Sequence, residues 1–311
     1  IALPLAVGLM ALAFALPGQA SVVWLFPVAM ACAGAATGLT DVLMNARVSA
    51  METSRGVHLM NLAHAAYSFG YAAAAISTGF MREAGWAPSW VMGVIGLTAL
   101  LTALACLERD GRIHGLIRPK GAKAVGLGMV PVVGGGMVFI AFLTEHAAEN
   151  WSALHIEKTL GGSPQEGSMG PAVIALTMGF ARLAGQGLTG RIGSFALLKA
   201  GAVVAAIGAI IASQAGTPFM AYMGFIVMGI GASVIAPTAF SLVGQLCPEE
   251  ARARAIARAT LLGYFGYFFG PPGFGFVAGA FGLRFAFIFA AIMLIAVFIL
   301  VPLLRRVGQR A

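Results

Sequence analysis

Charged residues are scarce in this chain. Asp, Glu, Lys and Arg make up 10% of its 311 residues, whereas ordinary soluble domains carry about 25%. Hydrophobic residues account for 59%, and the mean hydropathy is +0.91. A chain so poor in charge and so rich in long apolar runs is not a soluble globular domain. The composition predicts an all-α polytopic membrane protein.

Cysteine is also scarce, and the familiar motifs of catalysis are missing. Cys32, Cys106 and Cys247 are far apart and form no CxxC pair, which argues against a disulfide framework or a zinc site. No GxxxxGK[ST], HExxH or GxSxG signature occurs. His146 and Glu149 lie at the edge of an apolar run without further metal ligands beside them. We therefore expect no cofactor, no metal and no enzymatic activity.

Acidic residues are outnumbered by basic ones, 11 to 19, which gives a formal net charge of +8. Such a balance can indicate nucleic-acid binding. Here the positive charges lie in short loops between apolar runs, where membrane topology explains them more economically. We expect no nucleic-acid partner.

Ten apolar runs can be placed along the chain, and we expect each to be a membrane-spanning helix, because an open sheet edge in lipid would leave backbone groups unpaired. The first is shorter than the others. The runs are residues 1–16, 21–44, 60–82, 88–107, 126–147, 169–189, 194–213, 218–241, 255–279 and 284–304.

A long basic segment divides these runs into four and six. Residues 108–125 hold five of the Lys and Arg residues and cannot lie in hydrocarbon. If the chain crosses the membrane at each run, sixteen Lys and Arg residues lie on the same side of the membrane as this linker. Only three, Arg82, Lys158 and Arg284, lie on the opposite side. The positive-inside rule therefore predicts a cytoplasmic linker. We expect an N-terminal bundle at 1–107, a six-helix bundle at 126–304 and a cytoplasmic tail at 305–311.

A short internal repeat supports this division. Phe-Gly-Tyr begins at Phe69 in the third run and at Phe265 in the ninth, and Gly-Phe follows at Gly79 and at Gly275. The two copies are six runs apart, and because six is even the repeats are parallel. The repeating unit would then hold six helices. Four runs precede the linker, and the chain opens at Ile1 without Met or a signal peptide, so we expect two further helices to precede it.

The segment from Arg182 to Gly193, RLAGQGLTGRIG, resembles the cytoplasmic loop signature of the major facilitator superfamily. The family layout of twelve helices in two parallel halves joined by a basic loop is similar to the arrangement predicted above. The resemblance implies that fold, with ten of its twelve helices present, and a monomeric transporter. It assigns Arg182, Gly185, Arg191 and Gly193 to a gating motif.

Four further segments resemble a bacterial inner-membrane branch near the fucose-permease-like sugar porters. They are Asp41–Asn45, His64–Gly70, Glu145–Ser152 and Gly263–Pro272. The resemblance implies secondary active transport of a sugar-like or other polar solute, coupled to protons or another ion gradient. It adds Asp41 and Asn45 to the gating residues. The candidates for solute binding or proton coupling are Glu145, His64, Tyr67, Asn150, Trp151, Tyr264 and Tyr267.

Each of the main candidates has two interpretations. Glu145 lies in a central cavity, or it is solvated at the headgroup level near the outer end of the fifth run. His64 relays protons, or it caps a cytoplasmic helix end. Asp41 latches a gate by pairing with Arg47 or Arg55, or it is ordinary interfacial polarity.

The ninth run carries two backbone features. Gly263, Gly266, Gly270 and Gly273 share one helical face and predict close approach of another helix. Pro271 and Pro272 predict a kink in mid-membrane. Tyr264 and Tyr267 face away from the glycines, and we expect one of them to face the cavity.

Three functions remain open from the sequence. The first is gradient-driven transport of a polar solute by alternating access between two bundles. The second is efflux of amphipathic compounds, which would require a larger apolar cavity with few fixed polar groups. The third is a truncated membrane protein that binds without transporting or has no function.

Overall fold

The computed structural model describes residues 2–20, 22–55, 60–107, 126–184 and 192–309, and these ranges form helices without strands. The helices are α1 (Ala2–Ala15), α2 (Leu25–Arg55), α3 (Met60–Glu83), α4 (Pro88–Ala105), α5 (Val130–Leu154), α6 (Pro164–Ala184), α7 (Ser194–Gln214), α8 (Pro218–Ala232), α9 (Ile235–Leu246), α10 (Glu249–Phe281) and α11 (Leu283–Gly308). A 3₁₀ turn at Pro17–Gln19 follows α1, and a π-helical turn at His155–Thr159 follows α5.

Each of the ten predicted runs contains a helix within its described residues, and the all-α membrane class is confirmed. Within the part of the chain that the structure describes, six segments are long and apolar enough by composition to cross a bilayer. They are Leu25–Met44, Pro88–Ala105, Val130–Thr159, Ser194–Gln214, Pro218–Leu246 and Leu283–Gly308. The described surface also exposes many large hydrophobic side chains, Phe276 and Ile299 among them, as expected for a surface in contact with hydrocarbon.

Several of the predicted boundaries are wrong. The second run was expected to end at residue 44, but α2 continues to Arg55, and the ninth was expected to start at residue 255, but α10 starts at Glu249. The fifth run was expected to end at residue 147, but α5 continues to Leu154, because its polar residues are buried against other helices instead of facing water. The eighth run is split between α8 and α9 near Ser233. Pro237 accounts for the split, since proline lacks the N–H that would bond the carbonyl of Ser233 and its ring clashes there.

The described chain divides into two compact units, the first comprising Ile1–His64 and Phe80–Lys120. Within it, α1 packs on both α2 and α4. Gly96 of α4 allows this approach, because a Cβ there would lie 3.0 Å from the carbonyl oxygen of Ala11.

The second unit comprises Ala65–Gly79 and Gly121–Ala311. It therefore includes the middle of α3, which the sequence placed with the N-terminal helices. The reason is close packing against α6: a Cβ at Gly179 would lie 3.1 Å from Cβ of Ser68, and one at Gly79 would overlap the side chain of Ser168. The core of this unit contains the fully buried rings of Phe225, Phe274 and Phe287.

Helix α10 packs along α5 through the predicted glycine stripe. A Cβ at Gly263, Gly266 or Gly270 would overlap Val138, Phe139 or Leu143, so close approach is confirmed at these three positions. At Gly273 it is wrong, since nothing lies within 4 Å of a Cβ there. Pro271 and Pro272 lie inside α10 without ending it, although neither can donate a backbone hydrogen bond.

Candidate functional site

Helix α5 carries an unusual run of buried polar residues. Glu145 and Glu149 are 9% and 7% exposed and lie four residues apart, on one helical face. His146 lies three residues before Glu149 and shares that surface. Two carboxylates and an imidazole are therefore held inside a helix long enough to span a bilayer, where ionisable groups are costly.

Glu145 forms an ion pair with Arg182 of α6. The distance from Arg182 Nη2 to Glu145 Oε1 is 3.0 Å, and the guanidinium donates a hydrogen bond across it. Both side chains are largely removed from solvent. Because removal of one partner leaves an uncompensated buried charge, breaking such a pair costs about 3–5 kcal/mol.

The direction of the two helices explains why these distant residues meet. The π turn and a short loop join α5 to α6 as an antiparallel hairpin. At about 1.5 Å per residue, and with the π turn counted, Glu145 lies roughly 21 Å and Arg182 roughly 27 Å from the hairpin end. Helical side chains lean toward their own N-terminus, so Glu145 leans away from the hairpin and Arg182 leans toward it. The long side chain of Arg182 covers the remaining distance between the two residues.

Glu149 is paired within its own helix. Nδ1 of His146 lies 3.3 Å from Oε2 of Glu149. The ring of Tyr267 packs edge-on against the His146 ring at 4.6 Å and stacks on Phe142 at 4.3 Å. The imidazole is thus held between a carboxylate and an aromatic stack.

The internal repeat contributes to the same cluster. Tyr71 of α3 and Tyr267 of α10 are the tyrosines of the two Phe-Gly-Tyr copies, and both lie within electrostatic range of Glu149. Gly275, also from the repeat, makes room for the ring of Trp151. We call Glu145, Arg182, His146, Glu149 and Tyr267 the α5 polar cluster.

The structure decides several of the sequence alternatives. Glu145 is buried and ion-paired, so the interpretation of a solvated headgroup acid is wrong. Arg182 lies in the last turn of α6 and not in a loop. Tyr267 packs in the cluster, whereas Tyr264 is about half exposed. Asn150 is exposed and donates its amide back to the carbonyl of His146 at 2.7 Å.

Other predicted residues lie apart from the cluster. Trp151 donates from Nε1 to the carbonyl of Pro271 at 3.0 Å and so ties α5 to α10. Tyr67 is 56% exposed and lies 6.2 Å, ring to ring, from Tyr71. Gly193 adopts φ +78° immediately before α7, a conformation that favours glycine. Asp41 lies on α2 in the first unit.

Four predicted positions lie outside what the structure describes. They are Gly185 and Arg191, together with the side chains of Asn45 and His64. Their roles, and the gate pairing of Asp41, stay predictions.

Sequence reasoning missed His146, Glu149, Tyr71 and Phe142. A signal for His146 and Glu149 was present in their spacing, since residues three apart face each other on a helix. As metal ligands these two residues lack a third ligand beside them in the sequence. Within the described residues, no group of three or more His, Cys, Asp or Glu side chains is placed to hold a metal.

Comparison with curated proteins identifies relatives among transporters. Residues 134–311 match the model of the Major Facilitator Superfamily. An uncharacterised MFS-type transporter of Yersinia pestis is 30% identical over 272 residues, which cover 87% of this chain and 70% of that protein. An uncharacterised transporter of Sinorhizobium fredii is 26% identical, with 98% and 80% covered.

Solved structures share the fold. A bacterial homologue of the human lysosomal transporter Spinster, inward-facing and occupied, aligns with a TM-score of 0.72 at 16% identity, over 98% of this chain and 82% of that one. The Escherichia coli fucose:proton symporter aligns with a TM-score of 0.62 at 17% identity, over 97% and 82%. With the family match and the Yersinia relative, these results identify the chain as a multi-pass membrane protein of the Major Facilitator Superfamily of transporters.

Proposed function

We propose that the protein is a proton-coupled secondary active transporter that moves a small polar solute across the bacterial inner membrane by alternating access. The observation that carries the proposal is the α5 polar cluster, in which four ionisable side chains are paired inside helices of a membrane transporter. Such residues within spanning segments are rare and by default mark solute or proton pathways. The chain has no phosphate-binding loop, which supports a gradient as the energy source.

Within the cluster we assign the proton to Glu149 and His146. Their 3.3 Å contact allows a carboxylate and an imidazole to share one proton. Glu145 was the coupling candidate from the sequence, but its carboxylate is already neutralised by Arg182. We assign the Glu145–Arg182 pair to the conformational change, since Arg182 belongs to the segment that resembles the family gating motif.

The proposed solute is a sugar or a similar polar metabolite. Tyr267, Tyr71 and Phe142 offer aromatic faces and hydroxyl groups beside the carboxylates, and pockets for small polar molecules combine such features. The shared fold with a fucose:proton symporter supports this choice. The alternative is efflux of amphipathic compounds, which the fixed charges of the cluster disfavour.

We further propose that the linker and the C-terminus face the cytoplasm and that the protein acts as a monomer. The distribution of Lys and Arg, sixteen against three, supports this orientation. Trp24 and Trp90 fall on the side with few positive charges, and both are exposed, as interfacial anchors would be.

Proteoliposomes test this function directly. With the outside acidified, the reconstituted protein should accumulate a labelled member of a sugar panel, and Glu149→Gln should abolish accumulation while solute exchange without a gradient continues. Glu83→Gln, at the exposed end of α3, is the matched control and should behave as the wild type.

Two results would contradict the proposal. Accumulation by Glu149→Gln at the wild-type level would remove this carboxylate from proton coupling. Failure of every polar solute, with export of amphipathic cations instead, would favour the efflux alternative.

A further inference from the structure

A buried histidine lies at the start of the π turn, outside the α5 polar cluster. His155 is fully buried, and its Nε2 atom lies 3.0 Å from the backbone carbonyl oxygen of Ala212 in the last turn of α7. Because a carbonyl only accepts hydrogen bonds, Nε2 must carry the proton and donate it. This hydrogen bond ties the hairpin of α5 and α6 to α7. In a neutral ring it leaves the other nitrogen, Nδ1, as an acceptor.

That second nitrogen has no partner. The Nδ1 atom of His155 is buried, and no group in the described part of the chain forms a hydrogen bond with it. The imidazole packs on Phe287 of α11, with ring centroids 5.0 Å apart. Phe287 in turn contacts Phe225 and Phe274, and all three phenylalanines are fully buried. A charged imidazole in these surroundings would lose its hydration and gain no acceptor for its new N–H.

The end of α7 already has a cation beside it. Arg284 of α11 donates from Nη1 to the carbonyl of Ser213 at 2.9 Å and lies within electrostatic range of His155. The carboxyl end of a helix favours a positive charge, and the guanidinium supplies it. A proton on Nδ1 would add a second positive charge next to the first, which disfavours the charged ring.

The other charged groups of the neighbouring elements are engaged elsewhere. Glu157 of the π turn lies against α6, and Glu166 of α6 accepts a hydrogen bond from the first residues before its own helix. Glu149 of α5 is six residues away along the chain and pairs with His146. Lys158 is exposed, and the charged residue of α7 is near its other end. Within the described residues, no carboxylate is hydrogen-bonded to the buried ring so as to stabilise an imidazolium.

We propose that His155 is a proton-binding site separate from the α5 polar cluster, which ties the α5–α6 hairpin to α7 while it is neutral and releases it in acid. The protonated ring is more stable in water than beside Arg284 and the phenylalanines. When it leaves, the carbonyl of Ala212 loses its partner and the π turn loses its tie. The hairpin carries Glu145 and Arg182, so acid at this end of the bundle loosens the two helices that hold the ion pair.

Hydrogen–deuterium exchange of the detergent-purified protein tests the proposal, read by mass spectrometry on peptides from the end of α7. The variant is His155→Gln, whose side-chain amide can donate to Ala212 but does not titrate. At about pH 7.5 the two proteins should exchange alike. At about pH 5.5, one unit below the ordinary histidine pKa of about 6.5, the wild type should exchange about tenfold faster, because an open state that binds one more proton gains about tenfold per pH unit.

Two further variants sharpen this comparison. His155→Phe removes the donor and should exchange faster than the wild type at about pH 7.5, with no further difference in acid once intrinsic rates are divided out. His114→Gln, in the basic segment 108–125, is the matched control and should follow the wild type at both pH values. NMR of protein labelled with ring-¹⁵N histidine should show the Nε2–H tautomer for His155 at about pH 7.5, identified by the signals that His155→Gln lacks.

Several results would overturn the proposal. One is a wild type whose exchange at the end of α7, divided by the intrinsic rates, does not rise in acid, which needs no variant to fold. Another is a His155→Gln protein that keeps the wild-type acid response, or a His114→Gln protein that loses it. A third is an Nδ1–H tautomer or a charged ring at neutral pH. None of these measurements uses a transported solute, so they stand or fall apart from the proposed function.

Discussion

Helix α5 buries two carboxylates and carries a partly exposed imidazole beside them, whereas α7, in the same unit, has Lys199 as its single charged residue. The polar groups of α5 are satisfied by side chains from α6 and by one another. Helix α7 instead packs on α8 through glycines: a Cβ at Gly208 would overlap the backbone of Met228. The carboxylates of α5 can be buried because each has a basic partner, whereas α7 can be buried because its glycines let the backbone of α8 approach.

The comparison distinguishes buried residues that we assign to transport from buried residues that hold the helices together. In the function that we propose, the paired charges of α5 exchange partners during the transport cycle; ionisable residues inside spanning segments by default mark such pathways. The bundle also needs surfaces that stay together, and close backbone contact between small residues supplies these. Substitutions in the charged pairs of α5 and in the glycine contacts of α7 should therefore have different consequences for stability and for transport.

The largest effect is expected from Arg182→Ala. It leaves the Glu145 carboxylate buried without its partner, so the free energy of unfolding should fall by about 3–5 kcal/mol, and transport should be lost. Chemical denaturation in detergent and proteoliposome uptake measure the two effects. Arg305→Ala, at an exposed position near the end of α11, should change neither.

The double variant Glu145→Ala, Arg182→Ala decides whether the loss arises from the pair. Removing both charges should restore much of the stability but not transport. A double variant as unstable as the sum of the two single variants would show that the residues are not coupled.

A smaller effect is expected from Gly208→Ala in α7. The added methyl group has no space against α8, and overpacking of this kind costs about 1–3 kcal/mol. Gly216→Ala is the matched control, because nothing lies within 4 Å of a Cβ there, and its effect should stay within about 0.5 kcal/mol. Solute affinity should be unchanged in both. Equal losses in the two variants would contradict the packing role of Gly208.

Much of this comparison could be predicted from the sequence. Long apolar runs are a local signal, and all ten were found as helices. The glycine stripe of α10 follows from spacing alone, and the predicted close approach failed only at Gly273, where nothing lies within 4 Å of a Cβ. The split at Ser233 could have been read from Pro237, which lies four residues later.

The partners within the site could not be predicted. Glu145 and Arg182 are 37 residues apart, and Trp151 and Pro271 are 120 apart. Which side chains meet depends on the register of a hairpin with a π turn and on the packing of α10, and neither leaves a local pattern. The sequence located the polar residues of α5 but ended the helix at 147, because isolated polarity resembles a helix end. Only the packed helices reveal that these residues are buried.

The smallest effect is expected from Trp151→Phe, which removes the hydrogen bond from α5 to the carbonyl of Pro271. Hydrogen bonds between membrane helices contribute about 0.6 kcal/mol on average, so unfolding in detergent should become easier by about that amount. Trp90→Phe, on the exposed surface of α4, should have no measurable effect.

Gly275→Ala tests the same contact from α10, because its added Cβ would lie 2.7 Å from Cζ2 of Trp151. Gly275→Ala should destabilise the wild type more than it destabilises Trp151→Phe, since the smaller ring leaves room for the methyl group. Equal costs in the two backgrounds would mean that Trp151 does not set the distance between α5 and α10.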